Sequence, residues 1–129
     1  MSGDRDFLAR RRDVLALAAA GMLPGMAFAQ GTAWPTKPVT VVVPLPPGGG
    51  TDTFARPLVA QLTKQTSQQF LVDNRGGAGG NLGATVAAKA NPDGYTLFLG
   101  GAHHTIAPSF YPKLEYSLTN DFVPLALVS

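Results

Sequence analysis

The chain has 129 residues, enough for one small domain or for part of a larger protein. It is 45% hydrophobic and only 14% charged, which supports a packed core and excludes both a disordered tail and a basic nucleic-acid-binding surface. The absence of cysteine excludes disulfides and Cys-ligated metal sites. Four of the ten basic residues lie before residue 13, and the chain from Gln30 onward is near neutral.

The first 29 residues have the three-part layout of an export signal. In "RRRDVLALAAAGMLPGMAFA" a basic start precedes a short apolar run and a small-x-small ending, which predicts cleavage after Ala29. Arg11 and Arg12 resemble a twin-arginine signal, although the usual Phe position after the pair holds Val; an ordinary secretory signal is the alternative. We therefore divide the chain into an export signal, residues 1–29, and a domain, residues 30–129.

The first predicted strand leads into a glycine loop and then a helix. The β-branched run "VTVVV" is typical of a strand buried on both faces, and it is followed by "PLPPGGGTD". Thr51 or Asp52 is the expected N-cap of the helix. Pro57 is tolerated if it lies in the first turn. The helix is predicted from apolar residues at spacings of three and four: Phe54, Leu58, Val59 and Leu62.

The rest of the chain continues the alternation of strands and helices. "QFLVDN" predicts a second strand, "NLGATVAAKA" a small-residue helix, "NPDG" a turn and "YTLFLGG" a third strand. "FVPLALVS" predicts the start of a fourth strand. Strands that alternate with helices predict an α/β fold with right-handed crossovers and a parallel sheet covered by helices on both faces.

Each of the first three predicted strands is followed by glycines, at residues 48–50, 76–80 and 100–101. Since ligands collect at the carboxyl ends of parallel strands, this pattern favours a binding crevice over three unrelated tight turns. A glycine loop before a helix N-terminus favours an anion. The Walker and dinucleotide motifs both fail here, so a carboxylate fits better than a nucleotide. We hypothesise that it lies against the N–H groups of Gly48, Gly49 and Gly50.

Four segments together resemble the Bug family, the extracytoplasmic solute receptors of tripartite tricarboxylate transporters. They are "VPLPPGGGTDTFAR", "VDNRGGAGGNLGATVAAKANPDGYTLFLG", "HTIAPSFYPKLEY" and "NDFVPLALV". The resemblance implies the Rossmann-like first domain of a type II periplasmic binding protein, truncated here, with the second domain absent. It also implies a periplasmic receptor that captures a small carboxylate and delivers it to membrane transporter subunits.

The resemblance implies a ligand site on three loops but no enzyme activity, no cofactor, no metal, no nucleic-acid partner and no membrane-spanning segment in the mature chain. Leu45 and Ala107 depart from the family's usual Phe and Asn, which affects ligand identity more than the fold. The implied ligand-binding residues are Pro47, Gly48, Gly49, Gly50, Thr51, Asp52, Ala78, Gly79, Gly80, Asn81, Ala102, His104 and Thr105.

Several of these side chains have more than one interpretation. Asp52 is expected to cap the helix through backbone N–H groups, to orient a bound water or accept from the ligand, or to do both. Arg75 is either a cation for the ligand or a solvated turn residue. Adjacent His103 and His104 would face opposite sides of a strand, which disfavours a metal site. His104 is instead expected to bond the loop or touch the ligand.

Two other functions remain open. An exported hydrolase would use Ser109 or Thr51 as its nucleophile with His104 as the base, although a G-x-S-x-G motif is absent. A truncated or vestigial product without independent binding is the other alternative.

Overall fold

The structure is a computed structural model that describes residues 33–128, so the predicted export signal lies outside the described residues. In chain order the elements are β1 (Val39–Val43), α1 (Gly50–Thr66), β2 (Phe70–Asn74), a 3₁₀ turn (Ala78–Gly80), α2 (Asn81–Ala88), β3 (Thr96–Phe98) and α3 (His103–Phe110). Within this part of the chain, no helix is long and apolar enough to cross a membrane.

The three strands form one parallel sheet in the order β2-β1-β3. Val41 of the central strand pairs with Val72 on one side and with Leu97 on the other. Helix α1 packs on β1 and β2, and α2 packs on β1 and β3. Because right-handed crossovers that run in opposite directions place their helices on opposite faces, both faces of the sheet are covered. The predicted α/β fold with a parallel sheet is confirmed.

The core lies around β1. Four of its five residues are buried, as the continuous β-branched run predicts for a central strand. Each fully buried valine contributes about 1.5–3 kcal/mol relative to an exposed position. The buried core cluster consists of Val39, Val41, Val59 and Phe70, and it is flanked by Leu62, Val72, Tyr95, Leu97 and Leu99.

Helix α1 packs Val59 and Leu62 against the core, as the spacing of its apolar residues indicates, but Phe54 lies outside this face. Asp52, Ala55 and Val59 are buried, whereas Phe54 is 43% exposed. Asp52, on the buried face of the first turn, accepts hydrogen bonds from the loop before α1 and from β2. Pro57 is the eighth helical residue, outside the first turn, and therefore leaves one carbonyl of the preceding turn without its intrahelical donor.

Two predicted features at the C-terminal side are wrong. Residues 122–128 form neither helix nor strand and pair with no strand among the described residues, and Leu127 is 97% exposed. A strand needs a neighbour for its backbone groups, and the described sheet offers this segment none. The two adjacent histidines begin helix α3 instead of lying on a strand.

Candidate functional site

The candidate site lies at the carboxyl ends of the three strands, where three loops meet: loop 1 (residues 44–49), loop 2 (residues 75–80) and loop 3 (residues 99–102). Asn74 closes β2 and donates from Nδ2 to the carbonyl of Leu45 at 3.1 Å, which ties β2 to loop 1. Gly76 lies against Pro46, where a Cβ would approach to 3.2 Å. Loops 1 and 2 are therefore packed closely against each other at this edge.

The N-terminus of α1 opens onto this edge. Its N-cap is Gly49, and no side chain in residues 33–128 caps it. The backbone N–H groups of Gly50, Thr51 and Asp52 therefore have no partner in this part of the chain. They lie at the positive end of the 17-residue helix. The prediction that Thr51 or Asp52 is the N-cap is wrong, because the helix begins one residue before Thr51.

Three consecutive glycines, residues 48–50, run from loop 1 into α1, and the fold requires glycine at only one of them. Gly48 has φ +83°, a conformation that favours glycine. Gly49 has an ordinary φ of −74°. A Cβ added there would lie 3.4 Å from the carbonyl oxygen of Pro46, an ordinary contact distance. An added Cβ at Gly50 would meet nothing within 4 Å. The protein fold alone therefore does not require glycine at positions 49 and 50.

Asp52 is an anchor for loop 1. It is 2% exposed, and its carboxylate accepts from Arg56 Nε at 2.8 Å, the Gly48 N–H at 2.9 Å and Asn74 Nδ2 at 3.0 Å. The hydrogen bond from Arg56, followed by those from Gly48 and Asn74, lowers the pKa of Asp52 to about 2. Asp52 therefore stays ionised, and the positive charge of Arg56 offsets its negative charge, so the pair does not repel an anion nearby.

This anchoring corrects the expected set of backbone donors. The N–H of Gly48 donates to Asp52, and that of Gly49 donates to the Pro46 carbonyl at 3.3 Å. Neither is free for a solute. The open donors lie one step further along the chain, at Gly50, Thr51 and Asp52, where the helix geometry leaves them unpaired. Pro47 is an exposed residue on the rim of the same loop.

Loop 2 has an unusual backbone. Gly77, Ala78, Gly79 and Gly80 have consecutive positive φ values of 138°, 49°, 65° and 92°. Ala78 is the only residue of the four with a side chain, and a non-glycine residue in this region costs about 1–3 kcal/mol. Strained backbone of this kind concentrates at functional sites. The strain at Ala78 thus supports a role for loop 2 in binding.

Asn81 begins α2 directly after loop 2 and is 7% exposed. Its Oδ1 accepts a hydrogen bond from the Tyr116 hydroxyl at 2.8 Å. Its Nδ2 is buried and has no partner in the described part of the chain. Within residues 33–128, no side chain caps helix α2 at Gly80. This end of loop 2 therefore offers an unused donor to an acceptor.

His104 connects loops 2 and 3. It is 1% exposed, its Nδ1 accepts from the Gly101 N–H at 3.1 Å, and its Nε2 faces the Gly80 carbonyl at 3.3 Å. The tautomer with its proton on Nε2 satisfies both contacts, and Nδ1 also lies 3.2 Å from the Gly101 carbonyl oxygen. The expected bond from His104 to the loop is present. The ring centroids of His103 and His104 are only 3.9 Å apart.

The other side chains that were singled out play smaller parts. Ala102 and Thr105 are exposed at the start of α3, and the Thr105 hydroxyl donates to the Ala102 carbonyl at 2.6 Å. Arg75 pairs with Asp73 at 2.9 Å, which fits a solvated residue better than a ligand cation. Residues 33–128 contain no group of three or more side chains placed to hold a metal ion.

Sequence reasoning missed three residues that shape the site: Arg56, Asn74 and Tyr116. The Asp52–Arg56 pair has the i, i+4 spacing of a helical ion pair, so its signal was available. The partners of Asn74 and Tyr116 lie 22 or more residues away in sequence, and no local pattern marks them.

Comparisons with known proteins agree with this fold. The profile of the tripartite tricarboxylate transporter family receptor matches residues 54–129. Protein BugT of Bordetella pertussis is 40% identical over 97 residues, which cover 74% of this chain and 30% of BugT.

Two solved structures are similar. MatC from Rhodopseudomonas palustris with bound malate has a TM-score of 0.66 and 46% identity, covering 73% of this chain and 32% of MatC. The periplasmic binding protein BugD has a TM-score of 0.66 and 40% identity, covering 69% of this chain and 30% of BugD. The chain spans about a third of the length of these relatives. It belongs to the tripartite tricarboxylate transporter receptor family, and it is similar to the Bug proteins BugT and BugD.

Proposed function

We propose that the chain contributes the first-domain half of a solute site that binds a small carboxylate. The observation that carries the proposal is the open N-terminus of α1, where Gly49 and Gly50 are glycine although the fold does not require it. Bare backbone beside unpaired N–H groups leaves room for an acceptor with a negative charge. Helix α1 supplies the backbone donors and Asn81 supplies a side-chain donor.

The solute class follows from the charge and the donors. Backbone N–H groups and an amide Nδ2 offer protons only, so their best partner accepts hydrogen bonds and donates none, as an ionised carboxylate does. Malate is bound in the similar MatC structure, which makes dicarboxylates the first compounds to test. Because the Asp52 carboxylate is paired with Arg56, it does not neutralise the partial positive charge at the N-terminus of α1.

We further propose export to the periplasm, with cleavage after Ala29, and delivery of the solute to membrane transporter subunits. The export layout of residues 1–29 supports the first step. Membership of the receptor family supports the second. The twin-arginine route rests on the pair Arg11 and Arg12.

The geometry gives the hydrolase alternative no support. Both ring nitrogens of His104 face loop backbone, at Gly101 and Gly80. A general base must reach the proton of its nucleophile. Among the described residues, His104 has no hydrogen bond to Ser109 or Thr51, so the required pair is not assembled here.

The test is calorimetric titration of the chain with a panel of mono-, di- and tricarboxylates. Gly49→Val should fold, because the residue's φ is ordinary, yet its side chain should block the approach to the open donors. Losing a bond to a charged group costs about 1.5–3 kcal/mol, or roughly ten- to a hundredfold in affinity.

Ala60→Val, on the exposed face of the same helix, is the matched control and should bind as the wild type does. If Gly49→Val folds and binds its best carboxylate unchanged, the glycines are only a turn and the proposal is wrong.

A further inference from the structure

Tyr116 reaches the candidate site from a distant part of the chain. It follows Asn81 by 35 residues, is buried, and places its ring between His104 and Phe122, with centroids at 6.4 and 6.5 Å. Burial raises the pKa of Tyr116, so its hydroxyl keeps its proton. That proton has one acceptor in the described residues, the Oδ1 of Asn81 at 2.8 Å.

This contact selects one orientation of the Asn81 carboxamide. The group has one acceptor atom and one donor atom, and the two exchange places when it rotates by half a turn. In the reverse orientation the Tyr116 hydroxyl would accept from Nδ2, and its own buried proton would lose its acceptor. Among the described residues, the observed orientation leaves only Nδ2 without a partner, whereas the reverse would leave both the Tyr116 proton and Oδ1 without one. Since each unsatisfied buried polar group is costly, the observed orientation is favoured. Nδ2 is then turned away from Tyr116.

In this orientation Nδ2 is the unused atom. It is buried and has no partner in the described part of the chain, in a residue that is more than nine-tenths buried. Such a donor calls for an acceptor, and a solute carboxylate oxygen is one. With the amide reversed, Oδ1 would take the place of Nδ2 and repel the same oxygen.

We propose that Tyr116 is a positioning residue that holds the Asn81 amide with its donor toward the carboxylate solute. The proposal rests on the proposed function, since it names how one side chain of that same site is oriented. Tyr116 then affects the affinity for the solute only by orienting Asn81 and does not touch the solute itself.

A double-mutant cycle tests this dependence. Malate affinity is measured calorimetrically for the wild-type chain, Tyr116→Phe, Asn81→Ala and the double variant. We expect Asn81→Ala to weaken binding about ten- to a hundredfold and Tyr116→Phe about three- to tenfold. The double variant should bind no more weakly than Asn81→Ala alone, because the hydroxyl then has no amide to orient.

The matched control is Tyr95→Phe. It also removes a hydrogen-bonded tyrosine hydroxyl, but that hydroxyl bonds Thr36 near the amino end of β3, away from the loops. It should leave the affinity for malate unchanged. Circular dichroism of each variant checks that the fold is retained.

A second readout uses the wild-type chain alone and does not depend on how the variants fold. In ¹H–¹⁵N spectra, malate should shift the side-chain amide signals of Asn81. If they do not move while malate binds, or if the effects of Tyr116→Phe and Asn81→Ala add fully, positioning by Tyr116 is refuted and the carboxylate site stands. If the wild-type chain binds neither malate nor any other carboxylate of the panel, both proposals are wrong.

Discussion

Gly83 is the position where the packing of α2 against the end of the sheet is most demanding. A Cβ added there would lie 2.7 Å from Pro44 Cα, 2.8 Å from the Arg75 carbonyl oxygen and 2.9 Å from Pro44 Cβ. Two of these are backbone atoms, at the ends of β1 and β2, which cannot rotate away. Gly83→Ala should therefore push α2 off the sheet.

The size of the effect follows from two opposed terms. Overpacking a core costs about 1–3 kcal/mol, and the larger values apply because the contacts are with backbone. Replacing glycine by alanine within a helix returns about 1 kcal/mol. We expect a net loss of about 1–2 kcal/mol in the free energy of unfolding, or roughly 5–15 °C in melting temperature for a domain of this size.

Urea unfolding followed by far-UV circular dichroism measures this loss. The matched control is Gly50→Ala, the same change in a helix where the added Cβ meets nothing within 4 Å. It should leave the stability unchanged or raise it by up to about 1 kcal/mol. If Gly83→Ala unfolds at the same urea concentration as the wild type, or at a higher one, the close packing of α2 described above is incorrect.

Three further predictions concern charge, surface and export. Because the pKa of Asp52 is lowered from 3.8 to about 2, its stabilising contribution is complete above about pH 4 and is lost as the pH falls toward 2. The difference in unfolding midpoint between wild type and Asp52→Asn should shrink over that window, and a constant difference would contradict this. The exposed side chains of Val123, Leu125 and Leu127 should promote self-association of the chain, so replacing all three by serine should lower the mass seen in sedimentation velocity; an unchanged distribution of mass would count against it. Mass spectrometry of the exported chain should show cleavage after Ala29, and a product that keeps the preceding arginines would refute the export signal.

The pattern of apolar residues predicted much of the fold, because the strands and helices form where apolar side chains can be buried. The run "VTVVV" predicted the central strand, since a continuous run of β-branched residues is typical of a strand covered on both faces. The glycine loops that follow the strands lie at one edge of the sheet, as predicted, because parallel strands end together. Both inferences depend on local composition, which a sequence displays directly.

The errors arose where long-range contacts decide the outcome. The apolar spacing of α1 includes Phe54, but Phe54 is 43% exposed, and the buried residue of the first turn is Asp52, which bonds residues outside the helix. The segment 122–128 is apolar enough for a strand, yet strand formation depends on a neighbour that its own residues do not specify. The Tyr116–Asn81 bond joins residues 35 apart, and no local pattern predicts it.

The central claim is that a carboxylate binds at the open N-terminus of α1. Its most direct test is a ¹H–¹⁵N titration of the chain with malate, in which every backbone amide reports on its own surroundings. The account predicts that the largest shifts fall on the amides of Gly50, Thr51 and Asp52, which have no partner in residues 33–128. Shifts that leave these three amides unchanged while malate binds elsewhere would contradict it.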